Sequence, residues 1–189
     1  NTVVSKNIAN NSLSGLGGGI LIEDNEDPLL INGITIINNI GHKGGGIATI
    51  SGATPNINNS TIIKNIGLEY SSDVYNHDCC NSVPSPILQN TNFISYNYAV
   101  YNNENSTFIN ATSNYWGNSS GPYHPSQNPT GLGDSVNAFV NVDPWLTAPS
   151  IDAPPIPAQN NTLTGSGNVA ADGSLSFAHT LASDISTEG

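Results

Sequence analysis

The residues able to do chemistry in this chain are few, and they fall into four small groups. EDNED packs Glu23, Asp24, Glu26 and Asp27 around one asparagine just before Pro28. Hard oxygen donors at that density suit calcium, and an acidic surface turn is the plainer account of the same residues. NHDCCN, from Asn76 to Asn81, sets His77 and Asp78 beside the adjacent cysteines Cys79 and Cys80. Two neighbouring cysteines lack the spacing of a zinc site. They are left either as free thiols, able to hold a metal with His77 and Asp78, or as a strained ring closed between neighbours, the form expected in an oxidising setting. VYN occurs at Val74–Asn76 and again at Val100–Asn102, so Tyr75 and Tyr101 hold equivalent positions. Lys6 and Lys64 align with Asn38 between them, the nearest approach to a base site, and a solvated strand edge explains them as well. The histidines His42, His77, His124 and His179 have no partner spacing and read as surface or packing residues.

Composition narrows the partners. The 189 residues contain three lysines, no arginine and 14 acids, for a net charge of −11. Nucleic acid, acidic glycans and anionic membranes all require a cationic footprint that this chain lacks. No apolar run approaches the roughly 20 residues of a membrane span, so membrane insertion is not expected. The absence of methionine suggests a piece of a longer protein.

What must position the candidate groups is a repeat. GGGI at Gly17–Ile20 returns at Gly44–Ile47, and further steps of about 27 residues land on Val74 and Val100. An independent block agrees: PLLINGITIINNIG from Pro28, PNINNSTIIKNIG from Pro55, and a displaced copy, PILQNTNFISYN, from Pro86. The displacement puts extra length between Asn76 and Pro86, which makes NHDCCN a loop inserted into one repeat. Each repeat holds short runs rich in Ile, Val, Thr and Phe, bounded by Gly, Asn and Pro, with no helical pattern.

Strands so short cannot bury a face alone, and the period suits one coil of a parallel β-helix, whose equivalent residues stack about 4.8 Å apart. The fold expected is all-β: a right-handed solenoid with aliphatic columns inside (Ile20, Ile47, Val74, Val100) and an asparagine ladder at a bend (Asn7, Asn39, Asn65). If Val74 and Val100 face inward, alternation turns Tyr75 and Tyr101 outward as an exposed pair. Such a pair can hold a neutral sugar ring or simply stack on itself.

A solenoid also needs its open end closed. Repetition stops after Ile109, where Tyr115, Trp116 and later Trp145 arrive, and Trp116 is expected to plug the last coil. The run ATSNYWGNSSGP, then NPTGLGD, then VNVDPWL, resembles the closing signature of right-handed parallel β-helix repeat proteins of the pectin-lyase-like superfamily. The glycine-triplet coils are similar to those of polymorphic outer-membrane-type surface proteins. The resemblance implies the fold and an extracellular or cell-surface setting, and it implies no particular reaction.

The organisation expected is therefore coils over 1–110, a closing coil and cap over 111–146, a proline-rich linker over 147–160, and a short β tail over 161–189. The tail would be a packed extension or a truncated module. Two functions remain open: a structural or adhesive surface segment, with a neutral glycan or a second copy of the chain as partner, or the C-terminal coils of a carbohydrate-active enzyme. Lyases of this superfamily use a basic residue with calcium, and arginine is absent here. Hydrolases need two carboxylates about 5 to 9.5 Å apart, and apart from EDNED the acids are scattered singly. No catalytic residue is assigned, and calcium is the one cofactor in view.

Overall fold

The structure, a computed structural model, describes residues 2–9, 15–23, 29–70, 73–77 and 82–158, together with the backbone of 164–169 and 175–180. It divides into two units, 1–156 and 157–189. The first is a β-solenoid of about four turns, all-β and without a helix among the described residues.

Each coil lays down one strand on each of three faces. The four-stranded face runs Thr2–Ser5, Ile34–Ile37, Thr61–Ile63, Asn92–Ile94. The six-stranded face runs Ile20–Glu23, Ile47–Ile50, Val74–His77, Tyr98–Asn102, Gly133–Val136, Pro122–Tyr123. The five-stranded face runs Leu30–Asn32, Asn56–Asn58, Ile87–Gln89, Ile109–Asn110, Val140–Asn141. Every pair of neighbours on these faces is parallel. A fourth set of two-residue strands, Ile8–Ala9, Ile40–Gly41 and Ile66–Gly67, lines the corner between the first two faces.

The register is the one expected from the repeat. Ile20 pairs with Ile47, Ile47 with Val74, and Val74 with Val100. Alternation along each strand sends these side chains inward, where they join one continuous apolar core. The column behind the four-stranded face grows along the solenoid: Ile36 stacks on Ile62, Ile62 on Phe93, and the Phe93 ring on Trp116, with centroids 4.8 Å apart and planes 13° apart. Trp116 is fully buried, in the position expected of a plug. Tyr115, partly buried, carries it there by backbone pairing, its N–H donating to Thr91 O at 3.0 Å and its carbonyl accepting from Phe93 N at 2.9 Å. Trp145 packs against the same core and lies over Gly121, where a Cβ would come within 2.5 Å of the indole.

Corners follow two rules. At one, Lys6, Asn38 and Lys64 all take left-handed backbone, with φ of 58°, 56° and 55°. The alignment of these three residues thus reports a turn that repeats in three successive coils. At another corner Gly33, Asn59, Asn90 and Ser113 share that conformation, φ 68°, 46°, 50° and 60°. The second rule is hydrogen bonding along the stack. Asn7 Nδ2 donates to Asn39 Oδ1 at 2.9 Å, and Asn39 Nδ2 donates to Asn65 Oδ1 at 2.9 Å. A second ladder runs from Asn76 Nδ2 to Asn102 Oδ1 at 3.0 Å. A polar column inside a folded chain has to satisfy itself, and these amides do so with copies of themselves.

Part of the proline-rich segment is a strap, laid across the outside of the four-stranded face. Asn92 Oδ1 accepts from Ser150 N at 2.7 Å, its Nδ2 donates to Ser150 O at 3.4 Å, and the Thr61 hydroxyl donates to Pro154 O. Those bonds let Thr61 and Asn92, both on the outer side of their strands, be fully buried. In the second unit Thr164–Val169 and Leu175–Thr180 pair antiparallel, Thr164 opposite Thr180.

Candidate functional site

The outward column of the six-stranded face reads Leu21, Ala48, Tyr75, Tyr101, each paired with the next. Tyr75 and Tyr101 stack as the repeat requires, centroids 6.3 Å apart and planes 9° apart. The expectation that both are exposed is corrected. Tyr75 has no exposed surface, because a third ring, Tyr70, stacks on Tyr101 at 5.4 Å and on Tyr75 at 6.4 Å. The Lys43 ammonium lies 5.7 Å from the Tyr70 ring centre and 5.9 Å from that of Tyr75. Tyr98 meets Tyr101 edge-on at 5.3 Å. What reaches solvent is therefore Tyr70, 47% exposed, and the partly covered faces of Tyr101 and Tyr98.

Charged and amide groups rim the rings. On one side Glu69 Oε2 accepts from His42 Nε2 at 2.9 Å and lies 3.8 Å from Lys43 Nζ. On the other side His77 Nδ1 lies 3.1 Å from Asn103 Nδ2 and 3.8 Å from Glu104 Oε1, with its ring 5.9 Å from that of Tyr75. The Tyr70 phenol is pushed above its ordinary value, first by its hydrogen bond to Glu69 and then by that carboxylate's charge. The Tyr75 phenol is pushed up further, mainly by burial. Both hydroxyls stay neutral at any ordinary pH, and that of Tyr75 is buried with no hydrogen-bond partner among the described residues. Flat neutral rings rimmed by amides and paired charges can hold a ligand by contact and hydrogen bonding. Among the described residues of the cluster no nucleophile is set beside a base.

Of the residues singled out in the sequence, the structure brings together Tyr75, Tyr101 and His77. Asp78, Cys79 and Cys80 lie outside the described residues, as do Asp24, Glu26 and Asp27. The far side of the inserted loop is tied down at Pro84, whose carbonyl accepts from Asn76 Nδ2 at 3.1 Å. Glu23 is exposed at the end of its strand, opposite Ile50. Among the described residues no cluster of three or more His, Cys, Asp and Glu is placed to hold a metal. His124 is a buried packing residue, whose Nδ1 accepts from the amides of Ser126 at 3.1 Å and Gln127 at 2.9 Å.

Sequence reasoning missed Tyr70, Tyr98, Lys43 and Glu69. The signal for Tyr70 was present, since it stands one period of 27 beyond Lys43 and the two side chains meet. Under the strap lies a second concavity of about 530 Å³, lined by Pro149, Ile151, Pro155 and Ile156. Its one amide side chain, Asn92, is already engaged by Ser150. That leaves the tyrosine cluster as the better-equipped surface. No described helix is long and apolar enough to cross a membrane. No protein-family model, curated protein or solved structure matches the chain, so the reading of the site rests on its own geometry.

Proposed function

We propose that this chain is an adhesive or structural solenoid of a secreted or cell-surface protein, of the pectin-lyase-like kind, and that its tyrosine cluster binds a neutral glycan. The observation that carries the reading is the stack of Tyr70, Tyr75 and Tyr101 on a rigid parallel face, with Tyr70 and Tyr101 presented outward. A sugar ring offers axial C–H groups to an aromatic face and hydroxyls to amides and carboxylates at its edge. Asn103, His77, Glu104 and Glu69 stand where such hydroxyls would be met. Tyr75 holds the platform from beneath and is not itself a contact. A neutral ligand fits best, because the lysine and histidines at the rim are already paired with Glu69 and Glu104 and the whole chain carries −11.

The test is a glycan array read with the intact chain and with Tyr70→Ala and Tyr101→Ala, each checked for an unchanged circular dichroism spectrum. Binding to one or more neutral glycans is expected, reduced at least tenfold by either substitution. Binding that survives both substitutions together removes the site. Hydrolytic or eliminative turnover of a polysaccharide by the chain would instead favour the enzyme reading.

A further inference from the structure

The first asparagine ladder ends on an acid. Asn65, its last amide, donates to Asp73 Oδ1 through both its backbone N–H, at 3.1 Å, and its Nδ2, at 2.6 Å. Asp73 is completely buried. Its other oxygen accepts the hydroxyl of Ser95, the residue that follows the last strand of the four-stranded face. The backbone N–H of the same serine donates to Asp134 Oδ2 at 3.0 Å. Asp134 belongs to Gly133–Val136, a strand that the closing segment adds to the six-stranded face, and its own N–H donates to Trp116 O at 2.8 Å. Ser95 is thus held between one carboxylate of the coils and one of the closing segment.

We propose that Asp73, Ser95 and Asp134 form a proton-dependent latch. With Asp134 protonated the closing segment is held on the last coil; once Asp134 is ionised, a partly buried carboxylate faces the buried Asp73 carboxyl across Ser95 with little solvent around it, and the segment loosens. The groups that act on Asp73 are Asn65, Ser95 and Asp134, and on Asp134 those of Ser95. The nearest cation in register is Lys64, one coil from Ser95 at the shared corner, where its N–H donates to Ile94 O at 2.8 Å.

Burial raises both carboxyls. Asp73 is held well above the usual carboxylate range, and Asp134 is pushed up to about 7 against the opposing hydrogen bonds from Ser95. An unfolded aspartate titrates at about 3.9, so between there and about 7 the folded chain binds the extra proton. The latch is fully closed below that window and opens as pH rises through it.

Hydrogen exchange of the intact chain, followed over Trp116–Val136 between pH 4.5 and 8 and corrected for intrinsic rates, tests this. Opening of that segment should rise by up to about tenfold per pH unit until near pH 7, and Asp134→Asn should flatten the rise. His124, whose pKa burial lowers, titrates in the opposite sense and is common to both proteins. Comparing them removes its share. Repulsion from the surface charge is screened at 1 M salt, whereas the desolvation of the partly buried Asp134 carboxyl is not, so the rise must persist there. Equal slopes in the two proteins, or a slope lost in salt, overturn the latch. If Asp134→Asn does not fold, carbon NMR titration of the unaltered protein decides. An Asp134 carboxyl midpoint near 7 supports the latch, and one near 4 overturns it.

Discussion

In the coils many buried side chains sit on a like side chain of the next turn: isoleucine on isoleucine at Ile36 and Ile62, asparagine on asparagine at Asn39 and Asn65. In the closing segment Val136 still pairs with Val100 and Asn141 with Asn110, but the other partners are unlike. Trp116 meets Phe93, Trp145 meets a glycine, Gln127 meets the backbone of Val140 and Val142, and Asp134 meets a serine. A coil solves its packing once and repeats the answer, because translation along the axis brings the same residue back. An end has no next turn, and each of its buried groups needs an arrangement of its own. The difference predicts where a single substitution is felt most: the contacts of Trp116, Trp145, Gln127 and Asp134 have no second copy along the stack.

Trp116→Ala should therefore be the costliest change. It removes the largest fully buried side chain and leaves Phe93 facing a cavity, for a loss of about 3 to 5 kcal/mol in denaturant unfolding. An unchanged midpoint would return Trp116 to the surface and dissolve the contrast. Asn65→Ala tests the repeated side. It strands the Asn39 N–H and amide, which donate to Asn65 Oδ1 at 3.0 and 2.9 Å, and removes a donor from Asp73. Each orphaned buried group costs about 1 to 3 kcal/mol, and neighbouring coils can repair only part of that. A loss equal to that of Trp116→Ala would show that a ladder is as irreplaceable as the plug. Gly121→Ala comes next. The new methyl would meet the Trp145 ring at 2.5 Å on a backbone with φ 79°, and the indole has to move, at a cost of about 1 to 3 kcal/mol. Quenching or a shift of Trp145 fluorescence should accompany the loss.

The same contrast explains what the sequence could disclose. Ile20, Ile47, Val74 and Val100 were legible as a column because four like residues recur at one spacing, and the asparagine ladder was legible for the same reason. The plug at Trp116 was legible through the position at which the repeat stops. Nothing periodic marks Ser95, Asp134 or the pairing of Asn92 with Ser150, whose partners lie 39 and 58 positions apart with no second instance. The tyrosine cluster stands between these cases. Its repeating members, Tyr75 and Tyr101, were found, but the ring that buries Tyr75 comes from a corner where its predecessor is a lysine. Chemistry changed along that column while position did not.

The corner shared by Gly33, Asn59, Asn90 and Ser113 allows the smallest and cleanest test, because one backbone conformation occurs there in both regions. Left-handed backbone costs a residue with a Cβ roughly 1 to 2 kcal/mol, less for asparagine, and glycine is free of it. Gly33 lies in the coils at φ 68°, and a Cβ there meets nothing within 4 Å, so Gly33→Ala introduces strain without a clash. A loss of about 1 kcal/mol is expected. Ser113 lies in the closing segment at φ 60°, and its N–H donates to Pro144 O at 2.6 Å, a bond that glycine keeps. Ser113→Gly relieves the strain but frees the unfolded chain by about 0.4 to 1 kcal/mol, leaving a net gain of about 0.5 kcal/mol. Opposite signs from the two substitutions, measured by chemical denaturation, would mean that corners obey one rule throughout, and that the regions differ only in how side chains are partnered. A neutral Gly33→Ala, or a loss on Ser113→Gly, would place the difference in the backbone as well.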